Sequence, residues 1–323
     1  MDQRRVIDAH IHVPVEVVEQ SVRMMDRLDI ETAIDMTQSY GEPFFDLMAV
    51  YRKYPGRFFA SCGFNYEGLG DSGWLAREKD ALKRHLDQGA IGVKIWKDLG
   101  LHRRDIDDRL IAVDDERLAE LFAFAQSLGC PLIFHVADPK AFFRPLTPEN
   151  ERWDELQRRP EWWFGDRNRF PFDWWQIIRQ FERVIERHRD APIIGAHFGC
   201  AAEEVGYVAD VMRRNPHYLV DTSARVSEIG RHEAAYVRDI FIEFQDRILY
   251  GSDLVLSAGW FPSDDEADAF YERDWGFFEF DAESMEYPYA VAKPWKIHPV
   301  GLPQDVLEKL YRQNAAIHLL RST

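Results

Sequence analysis

Eight short apolar runs, each parted from the next by a stretch of helical periodicity, constrain what this 323-residue chain can fold into. They cover residues 6–13, 30–36, 58–64, 91–96, 131–136, 192–197, 218–223 and 248–253. The runs PLIFHV and PIIGAH are apolar at consecutive positions, as strands covered on both faces must be. The intervening stretches predict helices over residues 16–28, 42–51, 74–86, 115–128, 174–187, 201–214 and 233–244, with a last one over 303–320. The first shows its stripe at Val17, Val18, Val22, Met25 and Leu28. Asp114 or Asp115 is the N-cap of the fourth, and Gly129 stops it. Strands alternating with helices predict an α/β chain folded as a single (β/α)8 TIM barrel, one domain over residues 1–323. A doubly wound open sheet is the alternative, but no G-x-G-x-x-G follows the first run.

The first run, Val6-Ile7-Asp8-Ala9-His10-Ile11-His12-Val13, carries two histidines spaced i, i+2. On a strand of period two both project from one face, and Asp8 is expected on that same face, one step deeper. Two imidazoles on a buried face are costly unless something satisfies them, and a divalent metal does so. Further candidates end later runs: His135 the fifth, His197 the sixth and Asp253 the eighth. In a (β/α)8 barrel all those ends share one rim, where active sites are built. Histidines and a carboxylate suit zinc first and manganese second. A lone strand-end histidine is more often a satisfied core residue, and Gly-Ser-Asp is also an ordinary turn. Five such residues at strand ends, four of them among the eleven histidines of the chain, point to a metal site.

Through DAHIH, GVKIW, FHVADP, GAHFG and YGSD the chain resembles the amidohydrolase superfamily. Within it, the resemblance is to the branch of aminocarboxymuconate semialdehyde decarboxylase and related decarboxylases, hydratases and lactonases. It implies that His10, His12, His135 and Asp253 hold one divalent ion, with His197 and Asp253 catalytic. It also implies an enzyme that lets Asp253 take a proton from water and His197 stabilise charge or return a proton. The branch's decarboxylases typically follow the sixth-strand histidine with a Gly-rich, Pro-containing turn. Here the turn is HFGCAAE, without proline. That favours a hydrolase of a small lactone, amide or ester, with nonoxidative decarboxylation of an aromatic or unsaturated acid second. A barrel that only binds a ligand is a third reading, opposed by the complete ligand set.

Lys94 and Trp96 share a face of the fourth run. Lys94 is expected to bind a substrate carboxylate, against two alternatives: pairing with a nearby acid, or carbamylation to bridge two metals. Arg225, just past the seventh run, is a second anion binder by the same reasoning. Cys200 reads as a buried, inert thiol. Two aromatic insertions, residues 142–172 and 259–295, follow ligand-bearing runs and should overhang the barrel mouth. Trp162, Trp163, Trp174, Trp175, Trp260 and Trp275 would lid an apolar pocket or form a homodimer interface. The substrate is therefore expected to be a small anionic or aromatic molecule. The net charge of −16 argues against nucleic acid, and no apolar run is long enough for a membrane span. Three scattered cysteines and a strand starting close behind Met1 suit a cytoplasmic protein without a signal peptide.

Overall fold

A computed structural model describes residues 5–286 and 295–320. The eight expected strands are present: β1 (Val6–Ile11), β2 (Ile30–Ser39), β3 (Phe58–Cys62), β4 (Ala90–Ile95), β5 (Leu132–Phe134), β6 (Ile193–Gly195), β7 (Tyr218–Asp221) and β8 (Ile248–Leu249). They lie side by side in chain order, every pair parallel. The ring closes between the first strand and the last: Ala9 donates to the Tyr250 carbonyl at 3.0 Å, and Asp253 donates to the His10 carbonyl at 2.7 Å. The architecture is a (β/α)8 barrel.

Strand periodicity sorts the core into two layers. Ile7, Ala9, Ile34, Met36, Ile133, Ile194, Leu219 and Leu249 pack together inside the barrel. The alternate residues pack outward against the helices in the larger cluster. Lys94 is in register with Ile133, Ile133 with Ile194, and Ile194 with Leu219, so the lysine stands on the lumen side.

One expectation fails at β1. The register shifts from Asp8↔Ala33 to Ile11↔Asp35, three residues advancing against two. That is a β-bulge, and it rotates the chain between Asp8 and the histidines. Asp8 therefore leaves their face. Its Oδ2 accepts from the Tyr271 hydroxyl at 2.9 Å, on the helix Asp264–Glu279, and its Oδ1 accepts from the Ser252 amide at 3.0 Å.

The helices fall close to their expected bounds. Asp115 caps Glu116–Ser127 through its side chain. The stretch 201–214 begins with a short 3-10 turn, and its α-helix is Val205–Arg214. The last helix is broken by a π-helical stretch, Lys309–Gln313, where the Leu310 carbonyl accepts from the Tyr250 amide at 3.0 Å. The second insertion contains a 16-residue helix, Asp264–Glu279, with a capping box between Ser263 and Glu266. Part of that insertion, residues 287–294, lies outside the described residues. Among the described residues no helix is long and apolar enough to cross a membrane.

Candidate metal centre

His10, His12 and Asp253 come together at the C-terminal rim, each offering a ligand atom within 4.8 Å of the others. His10 sits inside β1, His12 just past it, and Asp253 on the turn after β8. Each imidazole is oriented by a partner behind it. His10 Nδ1 stands 2.8 Å from Asp221 Oδ2. Asp221 is held below the ordinary carboxylate range: burial raises it, and the neighbouring His10 imidazole and Lys94 ammonium outweigh that. An ionised carboxylate only accepts, so His10 carries its proton on Nδ1 and leaves Nε2 bare. His12 Nδ1 stands 3.1 Å from Thr37 Oγ1, whose hydroxyl donates to Asp35 Oδ2 at 3.0 Å. The Thr37 oxygen is thus the acceptor, and His12 Nε2 is bare as well.

Both bare nitrogens face one carboxylate oxygen. Asp253 Oδ1 lies 3.4 Å from His10 Nε2 and 3.2 Å from His12 Nε2. Three lone-pair donors converge with no proton between them, a donor set that fits a divalent cation. Burial raises the pKa of Asp253, but the surrounding imidazoles, His197 first and then His12 and His10, reverse this and hold it well below the carboxylate range. The nearest cation to the cluster is Lys94, whose Nζ is 3.0 Å from His10 Nε2. Burial pushes its ammonium pKa down, against the pull of Asp221 and Asp253.

His197 and His135 form a second layer beside this group. His197 Nε2 is 3.1 Å from His135 Nδ1, and His197 Nδ1 is 3.0 Å from the Ser223 carbonyl and 4.0 Å from Asp253 Oδ2. A carbonyl only accepts, so His197 holds its proton on Nδ1. His135 meets His197 rather than the His10–His12–Asp253 cluster, and its buried Nε2 has no hydrogen-bond partner among the described residues. The nearest carboxylate to that atom is Asp138 Oδ1 at 3.5 Å, while Asp138 Oδ2 is taken by Lys97 at 2.5 Å. Burial drives both histidines toward the neutral form, His135 down to about 3 and His197 well below its ordinary value.

The backbone that presents these groups is strained. His197, Phe198 and Cys200 all have positive φ, at 57°, 55° and 57°, and so do Ala224 and Asp253, at 52° and 59°. Each costs roughly 1–2 kcal/mol for a residue with a Cβ. Gly199 shares the left-handed turn, and a Cβ there would fall 2.4 Å from the Tyr218 hydroxyl. The Cys200 thiol is buried against the Val136 amide, 3.2 Å away, and burial pushes it up to about 11. Burial and a raised pKa both disfavour the reactive thiolate form.

Above the cluster opens a cavity of about 670 Å³. Trp96, Phe142, Trp162, Trp260 and Phe270 form its aromatic wall, and Lys94 and Arg225 face it. The Arg225 guanidinium donates from Nη1 to the Ala224 carbonyl at 2.8 Å. Of the six tryptophans expected at the barrel mouth, Trp162 and Trp260 line this cavity. Trp174 instead donates to the Asp138 carbonyl at 3.0 Å, Trp163 donates to the Arg144 carbonyl at 2.8 Å, Trp175 packs on Tyr207, and Trp275 packs on Tyr271 in the core.

The sequence reading passed over Asp221, Ser223, Thr37 and Asp138. The signal for Asp221 was an acid inside the apolar run YLVDTS at a strand end. Thr37 and Asp138 gave no such signal.

A comparison with curated proteins gives no match. Among solved structures, the chain is similar to 2,6-dihydroxybenzoate decarboxylase complexed with 2,6-dihydroxybenzoate, at 15% identity, 100% coverage of both chains and a TM-score of 0.57. An uncharacterised TIM-barrel protein from Bordetella bronchiseptica gives 14% identity, coverage of 98% and 99%, and a TM-score of 0.57. An amidohydrolase from Burkholderia multivorans gives 12% identity, coverage of 98% and 99%, and a TM-score of 0.53. At these identities the likeness speaks for the fold. The amidohydrolase family model Amidohydro_2 matches residues 7–317, nearly the whole chain, and the protein belongs to that family.

Proposed function

We propose that this enzyme hydrolyses a small lactone, amide or ester with one divalent ion, zinc or secondarily manganese, held by His10, His12 and Asp253, with His135 as the fourth protein ligand. The observation that carries this reading is the convergence of two bare imidazole nitrogens on a carboxylate kept ionised. When bound, such an ion supplies Lewis acidity, lowering the pKa of water and polarising a substrate oxygen. Asp253 takes the proton of the attacking water. The water oxygen bonds to the acyl carbon, the acyl C–O or C–N bond breaks, and the proton passes to the leaving atom. His197, neutral and with its Nδ1–H 4.0 Å from Asp253 Oδ2, stabilises the negative charge that develops on the substrate. Arg225 and Trp96 hold the non-reacting part of the substrate, the first by charge and the second by its face. Lys94 binds a substrate carboxylate. The three buried free thiols suit a cytoplasmic enzyme.

A second reading rests on the cavity wall. Two cations among aromatic rings suit an aromatic or unsaturated carboxylate, and one similar structure is named a decarboxylase. In that case the C–CO2 bond breaks and a proton is delivered to carbon. Turnover in ¹⁸O-labelled water separates the two. The hydrolase reading expects one labelled oxygen in the product. Release of carbon dioxide in deuterated water, with one deuterium on carbon and no label gained, would overturn it.

A further inference from the structure

The geometry points to Asp221 as the positioning residue of the site: one carboxylate sets the tautomer of His10 and at the same time anchors the turn that carries His197. The inference rests on reading His10 as a metal ligand, and it holds for either reaction.

The two oxygens of Asp221 divide the work. Oδ2 faces His10 Nδ1 at 2.8 Å. Oδ1 accepts from the His197 amide at 2.8 Å, from the Ser223 amide at 3.1 Å and from the Ser223 hydroxyl. The residue ends β7 and is buried, so no water competes for either oxygen. Because Ser223 spends its proton on Asp221, its Oγ can only accept from the imidazoles. It lies 3.0 Å from His10 Nδ1 and 3.0 Å from His197 Nδ1. One acid thereby favours a proton on the Nδ1 of each ring, which leaves His10 Nε2 unprotonated and lets His197 Nε2 accept from His135 Nδ1, 3.1 Å away. A histidine that ligates through Nε2 requires that arrangement. The left-handed turn at His197 needs the same acid, since its first amide is satisfied there rather than within a regular helix.

A single substitution separates these duties. In Asp221→Asn the side-chain oxygen must stay where three donors converge, so the amide nitrogen is forced toward His10 Nδ1. Two donors cannot face each other. The His10 proton is then driven to Nε2, where Asp253 Oδ1, 3.4 Å away, is available to accept it and the Lys94 ammonium, 3.0 Å away, turns aside. The turn keeps its acceptor, so the fold survives while the ligand nitrogen is blocked.

The test reads the tautomer directly. In the metal-free wild-type protein, ¹⁵N-imidazole NMR, with His10 assigned by comparison with His10→Gln, should show an Nδ1–H tautomer, and in Asp221→Asn an Nε2–H tautomer. Chelator competition should show Zn²⁺ affinity reduced 10–100-fold in that variant, the usual scale for partners behind a metal ligand. Ser223→Ala, which leaves the carboxylate on His10, should keep the wild-type tautomer. An Nε2–H tautomer in the wild-type protein overturns the proposal with no variant needed. An Asn variant that keeps Nδ1–H and binds Zn²⁺ within threefold of wild type overturns it too. If wild type binds no divalent ion, the metal reading falls, and the tautomer measurement still decides the role of Asp221.

Discussion

Lys94→Met tests how the buried lysine relates to the metal. Its Nζ stands 3.0 Å from His10 Nε2, the lone pair that a divalent ion would need. One lone pair serves one acceptor role, so ammonium and metal compete for it. A hydrogen bond involving a charged group contributes about 1.5–3 kcal/mol. Removing it releases that much in favour of the ion, or roughly 10–150-fold tighter binding at 1.4 kcal/mol per tenfold. Methionine is the right replacement because it is unbranched, apolar and of similar length, and Lys94 is only 2% exposed on the lumen side of β4. The assay is Zn²⁺ or Mn²⁺ competition against a chelator at pH 7, with metal content per chain read by elemental analysis. The expected result is tighter binding at about one ion per chain, and a raised KM for an anionic substrate that has lost its ammonium. Weaker binding, or metal content falling by half, would refute the competition and show that the lysine itself helps to hold metal, as a carbamate would.

Gly251→Ala would place a methyl 2.6 Å from the His10 Cβ, inside the distance that real Cβ atoms tolerate, so it should cost about 1–3 kcal/mol and weaken metal binding together; chemical unfolding and chelator competition read the two, and unchanged metal affinity would count against His10 as a tightly placed ligand. Burial pushes Asp274 from 3.8 up to about 7, against the pull of the Tyr250 hydroxyl. Below pH 3.8 both states keep the proton and nothing is lost, but between 3.8 and 7 only the unfolded chain releases it, so folding stability falls as pH rises through that window. Asp274→Asn should remove about 3 kcal/mol of the difference between pH 5 and pH 8, at about 1.4 kcal/mol per unit; urea unfolding at the two pH values checks it, and an unaltered slope in the variant would sink the argument.

What the sequence disclosed was the part that depends on period and order. Eight apolar runs alternating with helical stripes name the barrel, because a strand covered on both faces and a helix after it leave few closed solutions. The helix Asp264–Glu279 was missed for a physical reason: its apolar residues are spread around it, and its acidic first turn reads as loop. The capping box Ser263-x-x-Glu266 was its one legible mark. Period two also misplaced Asp8. The rule assumes an unbroken pleat, and the bulge between Asp8 and Ile11 breaks it at the point where the histidines must turn inward.

The site itself was legible in its ionisable residues and hidden in their supports. His10, His12 and Asp253 announce themselves because imidazole and carboxylate at strand ends have few cheap structural uses. Asp221, Ser223 and Thr37 do not, since serine, threonine and aspartate at strand ends are also ordinary turn residues. Their role appears only when donors and acceptors are counted across β1, β2 and β7 at once. The same counting explains the strain. A left-handed turn over His197, Phe198 and Cys200 closes locally through the Cys200 amide on the Ala196 carbonyl at 2.9 Å, but its first amide is satisfied by an acid 24 positions away. That distant hydrogen bond places His197 beside Asp253, and no pattern read along the chain contains it.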